Sequence, residues 1–105
     1  ALKWYRKAAE NDNSEIAGRT QAKIYNNLGV LYATGRGVPQ DYAESIKWFR
    51  KGAEMGLAEA QSCLAFAYAK GNGVDPDLNE AVKWYRKAAE QGFPPAQDAL
   101  RSLGL

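Results

Sequence analysis

Apolar residues recur at positions i, i+4, i+7 and i+8 in two stretches of the chain, which is the spacing of one face of an α-helix. The first stretch holds Ile24, Leu28, Leu31 and Tyr32, and the second holds Ala60, Leu64, Ala67 and Tyr68. Gly35 and Gly71 follow these stretches and predict their ends, because glycine readily adopts the left-handed conformation that terminates many helices. We call these two helices, and a similar one near the C-terminus, the A helices.

A second helix, the B helix, is predicted after each of the first two A helices. Asp41 and Asp77 are typical N-cap residues, and Glu44 and Glu80 stand three residues later, at the spacing of a capping box. The apolar stripe of the first B helix holds Ala43, Ile46, Phe49 and Ala53, and Gly56 and Gly92 follow the two B helices. No stretch alternates between apolar and polar residues as a strand does, so the pattern predicts an all-α fold.

The chain repeats itself after 36 residues. The positions that coincide include Leu28 with Leu64 and Leu100, Tyr32 with Tyr68, Gly37 with Gly73, and Trp48 with Trp84. Residues 83–90 are identical to residues 3–10, although eight extra residues after Glu10 make the offset from the first copy to the second 44. A fixed period of this length is the signature of a solenoid of stacked helix pairs.

This repeat predicts a single domain, residues 1–105, of about six antiparallel helices. It consists of a half repeat at 1–10, an insertion at about 11–20, full repeats at about 21–56 and 57–92, and a capping helix at about 93–105. Where the earlier A helices have Gly29 and Ala65, the last has Arg101. Arginine is too large for the close approach of a B helix, so we expect this helix to close the array. No A helix precedes residues 1–10, and we expect end-to-end self-association or fraying there.

The residues shared by the two copies resemble the Sel1-like repeat, a relative of the tetratricopeptide repeat. The first copy has Leu28-Gly29, Tyr32, Gly35-Arg36-Gly37-Val38, Asp41, Trp48, Lys51, Ala53 and Gly56, and the second has Leu64-Ala65, Tyr68, Gly71-Asn72-Gly73-Val74, Asp77, Ala81, Trp84, Lys87-Ala88-Ala89 and Gly92. The resemblance implies a right-handed superhelix whose A helices line a concave groove while the B helices face outward. It also implies an adaptor role in signalling or complex assembly and, for bacterial members, roles in the cell envelope, secretion or host interaction.

The groove face of the A helices is the predicted binding surface. Residues on the face opposite Leu28 and Leu64 differ between the copies, as is expected where a ligand is recognised. Phe66 has Val30 and Ser102 as its counterparts, and an aromatic residue among small polar groups is typical of a binding hot spot. The alternative is that Phe66 only fills space between adjacent A helices. The predicted partner-binding residues are Lys23, Asn26, Val30, Thr34, Glu59, Ser62, Phe66, Lys70, Asp98 and Ser102.

The sequence offers little for catalysis, metal binding or cofactor binding. It contains no histidine, which removes the commonest general base and the commonest metal ligand. The single cysteine, Cys63, stands beside Leu64 and is expected to be a buried, small apolar residue rather than a nucleophile. We therefore predict that the chain is not an enzyme and has no catalytic residues, metal or cofactor. No apolar run is long enough to span a membrane.

The B helices carry most of the basic residues, in positions that stacking would align into a stripe. These are Lys3, Arg6, Lys7, Lys47, Arg50, Lys51, Lys83, Arg86 and Lys87. A basic stripe is one sign of a nucleic-acid interface, but the net charge is only +2. Glu54 and Glu90 follow Arg50 and Arg86 by four residues, and we expect each to neutralise its arginine in part. We predict a solvated outer face and no nucleic-acid partner.

These observations favour a protein–protein interaction adaptor that binds a peptide or protein segment in the concave groove. The alternative is a purely structural spacer or assembly segment of a longer repeat array, with no ligand of its own. A third hypothesis, nucleic-acid binding through the basic stripe, would show a steep dependence on salt.

Overall fold

A computed structural model describes residues 18–105 of the chain. Its five α-helices are α1 (Gly18–Thr34), α2 (Tyr42–Glu54), α3 (Ala58–Lys70), α4 (Leu78–Glu90) and α5 (Pro94–Ser102), and this part of the chain contains no strand. The A helices are α1, α3 and α5, and the B helices are α2 and α4. The half repeat predicted at 1–10, with its self-association, lies outside the described residues.

Both B helices begin at the predicted N-caps. The Asp41 carboxylate accepts a hydrogen bond from the backbone N–H of Glu44 (3.1 Å), and Asp77 forms the same bond in the second repeat (3.2 Å). The other half of a capping box is not formed, because the N–H of Asp41 instead donates to the carbonyl of Tyr32 (2.9 Å). Asp77 again repeats this bond (3.0 Å). Each bond ties the start of a B helix to the end of the A helix before it.

The loop after α3 depends on two glycines for different reasons. Gly71 has a φ of +75°, and its N–H donates to the carbonyl of Ala67 (2.8 Å), which ends the helix as predicted. Gly73 has a φ of +80°, and a Cβ atom there would lie 2.5 Å from the carbonyl oxygen of Tyr42. The loop of the second repeat therefore lies directly against the first turn of α2.

The A and B helices of the first repeat approach closely because Gly29 has no side chain. A Cβ atom at Gly29 would lie 2.5 Å from the ring of Phe49 on α2. Beside this contact, the buried hydroxyl of Ser45 donates to the carbonyl of Gly29 (2.8 Å). Ala43 is exposed, so its predicted place in the apolar stripe is wrong. It lies in the first turn of α2, where the backbone contacts the loop at Gly73.

Two clusters of buried side chains stabilise the stack. Leu28 and Trp48 lie in one, with Ile24 and Tyr32, and Leu64 lies in the other. Leu28 and Leu64 are both completely buried, as their recurrence predicts. Burying a leucine side chain is worth about 1.5–3 kcal/mol, so the repeated leucines contribute directly to the stability of each helix pair.

Polar contacts join the first described repeat to the second. The side-chain amide of Gln91, which follows α4, donates to the carbonyl of Gly56 in the first repeat (2.8 Å) and to Oε1 of Gln61 in its own repeat (3.0 Å). The guanidinium of Arg50 on α2 donates to the hydroxyl of Tyr68 on α3. These bonds supplement the apolar packing and fix the orientation of successive helices.

Candidate partner-binding groove

An open pocket of about 600 Å³ lies in the described part of the chain, between α3 and α5. Most of its walls are formed by Ser62, Cys63, Phe66 and Ala67 of α3 and by Pro95, Asp98, Ala99 and Ser102 of α5. Phe49 of α2 and Tyr85 of α4, both buried, also line it. We call this pocket the α3–α5 groove. Its volume lies within the range that accommodates a ligand or the side chains of a bound segment.

Phe66 is the most exposed aromatic residue that lines the groove. Its side chain is 51% exposed, and the ammonium group of Lys70 lies 5.7 Å from its ring. A residue enclosed between adjacent A helices would be buried, so the exposure of Phe66 favours the binding hypothesis over the space-filling alternative. An exposed ring in a concave surface can be covered by a partner, and aromatic residues of this kind are enriched among binding hot spots.

The structure divides the predicted groove residues into two sets. Those that line the α3–α5 groove are Ser62, Phe66, Asp98 and Ser102. Those that do not line it are Glu59 and Lys70, which share α3 with Phe66, and Lys23, Asn26, Val30 and Thr34, which all lie on α1. The predicted binding surface is therefore longer than the pocket itself.

Two of the α1 residues have local contacts of their own. The hydroxyl of Thr34 donates to the carbonyl of Val30 (2.8 Å), which is an ordinary bond within a helix. Oδ1 of Asn26 is buried and has no hydrogen-bond partner among the described residues. α1 reaches the pocket through another residue, Ala33, which the predicted set does not include.

Several residues that line the groove were not predicted from the A helices, because they come from other elements. Tyr42 at the start of α2 is 39% exposed, and Asn72 lies in the loop after α3. The repeat contained a signal for both residues. Under the 36-residue shift, Tyr42 aligns with Leu78 and Asn72 aligns with Arg36, so these positions differ between copies just as the A-helix positions do.

Cys63 lies in the wall of the groove, but its environment does not activate the thiol. Burial raises its pKa from 9.0 to about 11, and the negative charge of Glu59 contributes to the same shift. Because the thiolate is the reactive form of cysteine, this group is protonated and a poor nucleophile at neutral pH. Burial also raises the pKa of the Tyr85 hydroxyl nearby.

The part of the chain that the structure describes offers no metal site and no membrane span. No group of three or more histidine, cysteine, aspartate or glutamate side chains is arranged to hold a metal ion. Among the same residues, no helix has the length and apolar character needed to cross a bilayer.

The outer face packs its lysines onto buried tryptophans. The ammonium groups of Lys47 and Lys51 lie 5.2 and 4.9 Å from the ring of Trp48, and Lys83 and Lys87 lie 5.5 and 4.8 Å from that of Trp84. The lysine stems therefore cover apolar surface, as expected for a solvated face. The tryptophans are only 3% and 6% exposed, which leaves little ring surface for stacking on a base.

The predicted neutralisation of arginines on this face is wrong. Among the described residues, neither Arg50 with Glu54 nor Arg86 with Glu90 forms a salt bridge, and the B-helix ion pairs instead join lysines to glutamates three residues earlier (3.9 and 3.7 Å). Arg50 is engaged by the hydroxyl of Tyr68 on the next helix. The contact between helices takes the side chain away from Glu54.

The sequence profile of the Sel1 repeat family matches residues 1–13, 23–57 and 58–93. No curated protein matches the chain. Among solved structures, the chain is similar to c5321, a protective antigen of uropathogenic Escherichia coli strains with an SLR fold. The identity is 42% and the TM-score 0.82, and the match covers 93% of this chain but only 19% of the antigen.

Two further structures are similar over most of the chain. The Sel1 repeat protein from Oxalobacter formigenes is 37% identical with a TM-score of 0.84, and the match covers 96% of this chain and 70% of that protein. Helicobacter pylori cysteine rich protein B is 21% identical with a TM-score of 0.67 over 94% of this chain and 91% of its own. At that identity the last match shows the fold alone.

These matches confirm the fold predicted from the repeat, an all-α, right-handed α/α superhelix. The profile covers most of the sequence, and two solved relatives exceed 30% identity over nearly its whole length. The chain belongs to the Sel1 repeat family.

Proposed function

We propose that the chain is a protein-interaction adaptor that binds a peptide or protein segment in the α3–α5 groove. Sel1 repeat proteins are generally protein-interaction scaffolds and are not typical enzymes. The observation that carries the finer proposal is the open pocket of about 600 Å³, in which the half-exposed ring of Phe66 lies among small side chains.

The chemistry of the groove suits a polypeptide ligand. Phe66 offers an exposed aromatic ring, the buried rings of Phe49 and Tyr85 also line the pocket, and Ala67 and Ala99 leave room for an incoming apolar side chain. The hydroxyls of Ser62 and Ser102 and the amide of Asn72 lie around this surface. A few polar groups around an apolar centre is the usual organisation of a protein-binding site.

The alternative function is a structural spacer within a longer repeat array. The E. coli antigen, of which the chain spans 19%, provides an example of related repeats within a much longer protein. A spacer has no ligand of its own, so the two functions differ in whether changes in the groove affect binding.

The test is quantitative affinity capture with four immobilised forms of the intact chain. They are the wild type, Phe66→Ala, Leu78→Ala, and a double reversal of the exposed Lys47 and Lys51 to Glu. Leu78 is 55% exposed, which closely matches the 51% of Phe66, but it does not line the groove. It therefore controls for the loss of an exposed apolar side chain as such.

A protein retained by the wild type is then purified and titrated against the same four forms. We expect Phe66→Ala to weaken binding by about 1–2 kcal/mol, the usual loss at a hot spot, and Leu78→Ala and the charge reversal to change it little. Loss of binding on charge reversal, with Phe66→Ala silent, would place the interaction on the outer face and refute the proposal. Failure of the wild type to retain any protein specifically would favour the spacer, and equal binding of a retained protein by all four forms would refute the groove as its site.

A further inference from the structure

Among the described residues that line the α3–α5 groove, Asp98 is the one charged side chain, so the charge of the lining is negative. Glu59 lies one helical turn before Cys63 on α3, close enough for its charge to raise the pKa of that thiol. Glu59 lies in the first turn of α3 and Asp98 in the middle of α5, so the two carboxylates lie on the two helices that flank the groove.

The lysines near the groove do not pair with Glu59. Lys70 lies in the last turn of α3 and faces the ring of Phe66 (5.7 Å). Lys23 occupies the position on α1 that corresponds to Glu59 on α3, and no salt bridge joins the two. Among the described residues, Glu59 has no ion-pair partner at all.

Asp98 does have a partner, but one that a ligand can replace. Its carboxylate lies 3.2 Å from the guanidinium of Arg101, and the two side chains are 70% and 76% exposed. Exposed pairs of this kind contribute little to stability. A cation on a bound segment can therefore take over the Asp98 carboxylate at small cost.

We propose that the groove selects a polypeptide segment in which a bulky apolar residue is flanked by lysine or arginine. The apolar side chain packs against Phe66 between α3 and α5, and the flanking cation pairs with Asp98, while the negative charge of Glu59 near Cys63 adds to the attraction. This specificity rests on the proposed function of the groove, and it deepens that function by naming the chemistry of the partner.

The experiment begins with a phage-displayed library of random peptides, selected on the wild-type chain and counter-selected on Phe66→Ala. Synthetic peptides of the enriched sequence are then titrated by fluorescence anisotropy, each with its flanking base kept, changed to Gln or changed to Glu. The variants are the double change Glu59→Gln and Asp98→Asn and, as a matched control, Glu54→Gln. Glu54 is an exposed acid on α2 that does not line the groove.

We expect enriched peptides to combine an aromatic or large aliphatic residue with a nearby base. Replacing that base by Gln should weaken binding to the wild type about fivefold, the upper end of the effect of an exposed ion pair, and replacing it by Glu should weaken binding further. The double variant should bind the basic and the neutral peptide almost equally, whereas Glu54→Gln should discriminate as the wild type does.

Two results would overturn the inference in distinguishable ways. Peptides that depend on Phe66 but show no preference for a basic flank, or that keep the preference in the double variant, would refute the charge selectivity and leave the groove function standing. A selection that enriches no Phe66-dependent peptide would count against both. The far-UV circular dichroism of every variant should match that of the wild type, since both acids lie on the surface of helices that remain intact.

Discussion

The contact at Gly73 gives a sharp test of how the two described repeats are stacked, because the chain contains a matched control. Gly37 and Gly73 are equivalent under the 36-residue shift, and both have a φ of +80°. The described atoms that surround them differ. A Cβ atom at Gly73 would lie 2.5 Å from the carbonyl oxygen of Tyr42 and 3.0 Å from the N atom of Ala43, whereas at Gly37 no described atom lies within 4 Å.

The perturbation is Gly→Ala at each site. Forcing alanine into the left-handed region costs about 1–2 kcal/mol, and this applies equally to the two positions. At Gly73 the new methyl group also meets backbone atoms, which cannot rotate away, and overpacking of that kind typically costs a further ~1–3 kcal/mol. We therefore expect Gly37→Ala to lower the free energy of unfolding by about 1–2 kcal/mol, and Gly73→Ala by about 2–5 kcal/mol.

The assay is urea denaturation of the wild type and both variants, followed by far-UV circular dichroism and by tryptophan fluorescence. Trp48 and Trp84 report on the first and second described repeats. The difference between the two variants isolates the contact between the loop and α2, because the conformational term cancels. Equal destabilisation by the two substitutions would refute the reasoning, since it would mean that this contact places no constraint on the side chain.

Two further predictions concern the helix caps and the groove thiol. Asp41→Ala and Asp77→Ala each remove the side-chain acceptor at the start of a B helix. Each should lower the free energy of unfolding by about 1 kcal/mol in denaturant titrations. An unchanged unfolding midpoint would show that the cap is dispensable. For Cys63, the pKa is raised from 9.0 in the free group to about 11 in the folded chain, so folding favours the protonated thiol. The stability that this provides is complete below pH 9 and is lost as the pH rises towards 11. Relative to Cys63→Ala, the wild type should therefore become less stable over that interval, and parallel pH profiles of the two proteins would contradict the assignment.

The repeat made most of the fold predictable, because packing imposes the same residues on each copy. Leu28 and Leu64 recur 36 residues apart and are both fully buried. Asp41 and Asp77 recur as caps and form the same bond in both repeats. The predictions that failed relied on spacing within one helix, where a contact between helices decides the position of the side chain. Arg50 follows its contact with Tyr68 instead of pairing with Glu54, and only the three-dimensional arrangement of the helices could show this.

The candidate site was predictable only in part. Helical spacing places Ser62 and Phe66 on one face, and the repeat links them to Asp98 and Ser102. The repeat pattern cannot show that Tyr42 and Asn72 line the same pocket, because these residues belong to a B helix and a loop. The repeat also cannot show that, among the described residues, α1 reaches the pocket only through Ala33, since the sequence treats all A helices as equivalent.

The most direct test of the central claim is hydrogen–deuterium exchange of the intact chain with and without a bound partner or selected peptide. If the α3–α5 groove is the binding surface, added protection should fall on residues 59–70 and 94–102 and on the loop at 71–73, and it should be lost in Phe66→Ala. Protection confined to the outer face of α2 and α4, with exchange in α3 and α5 unchanged, would contradict the account.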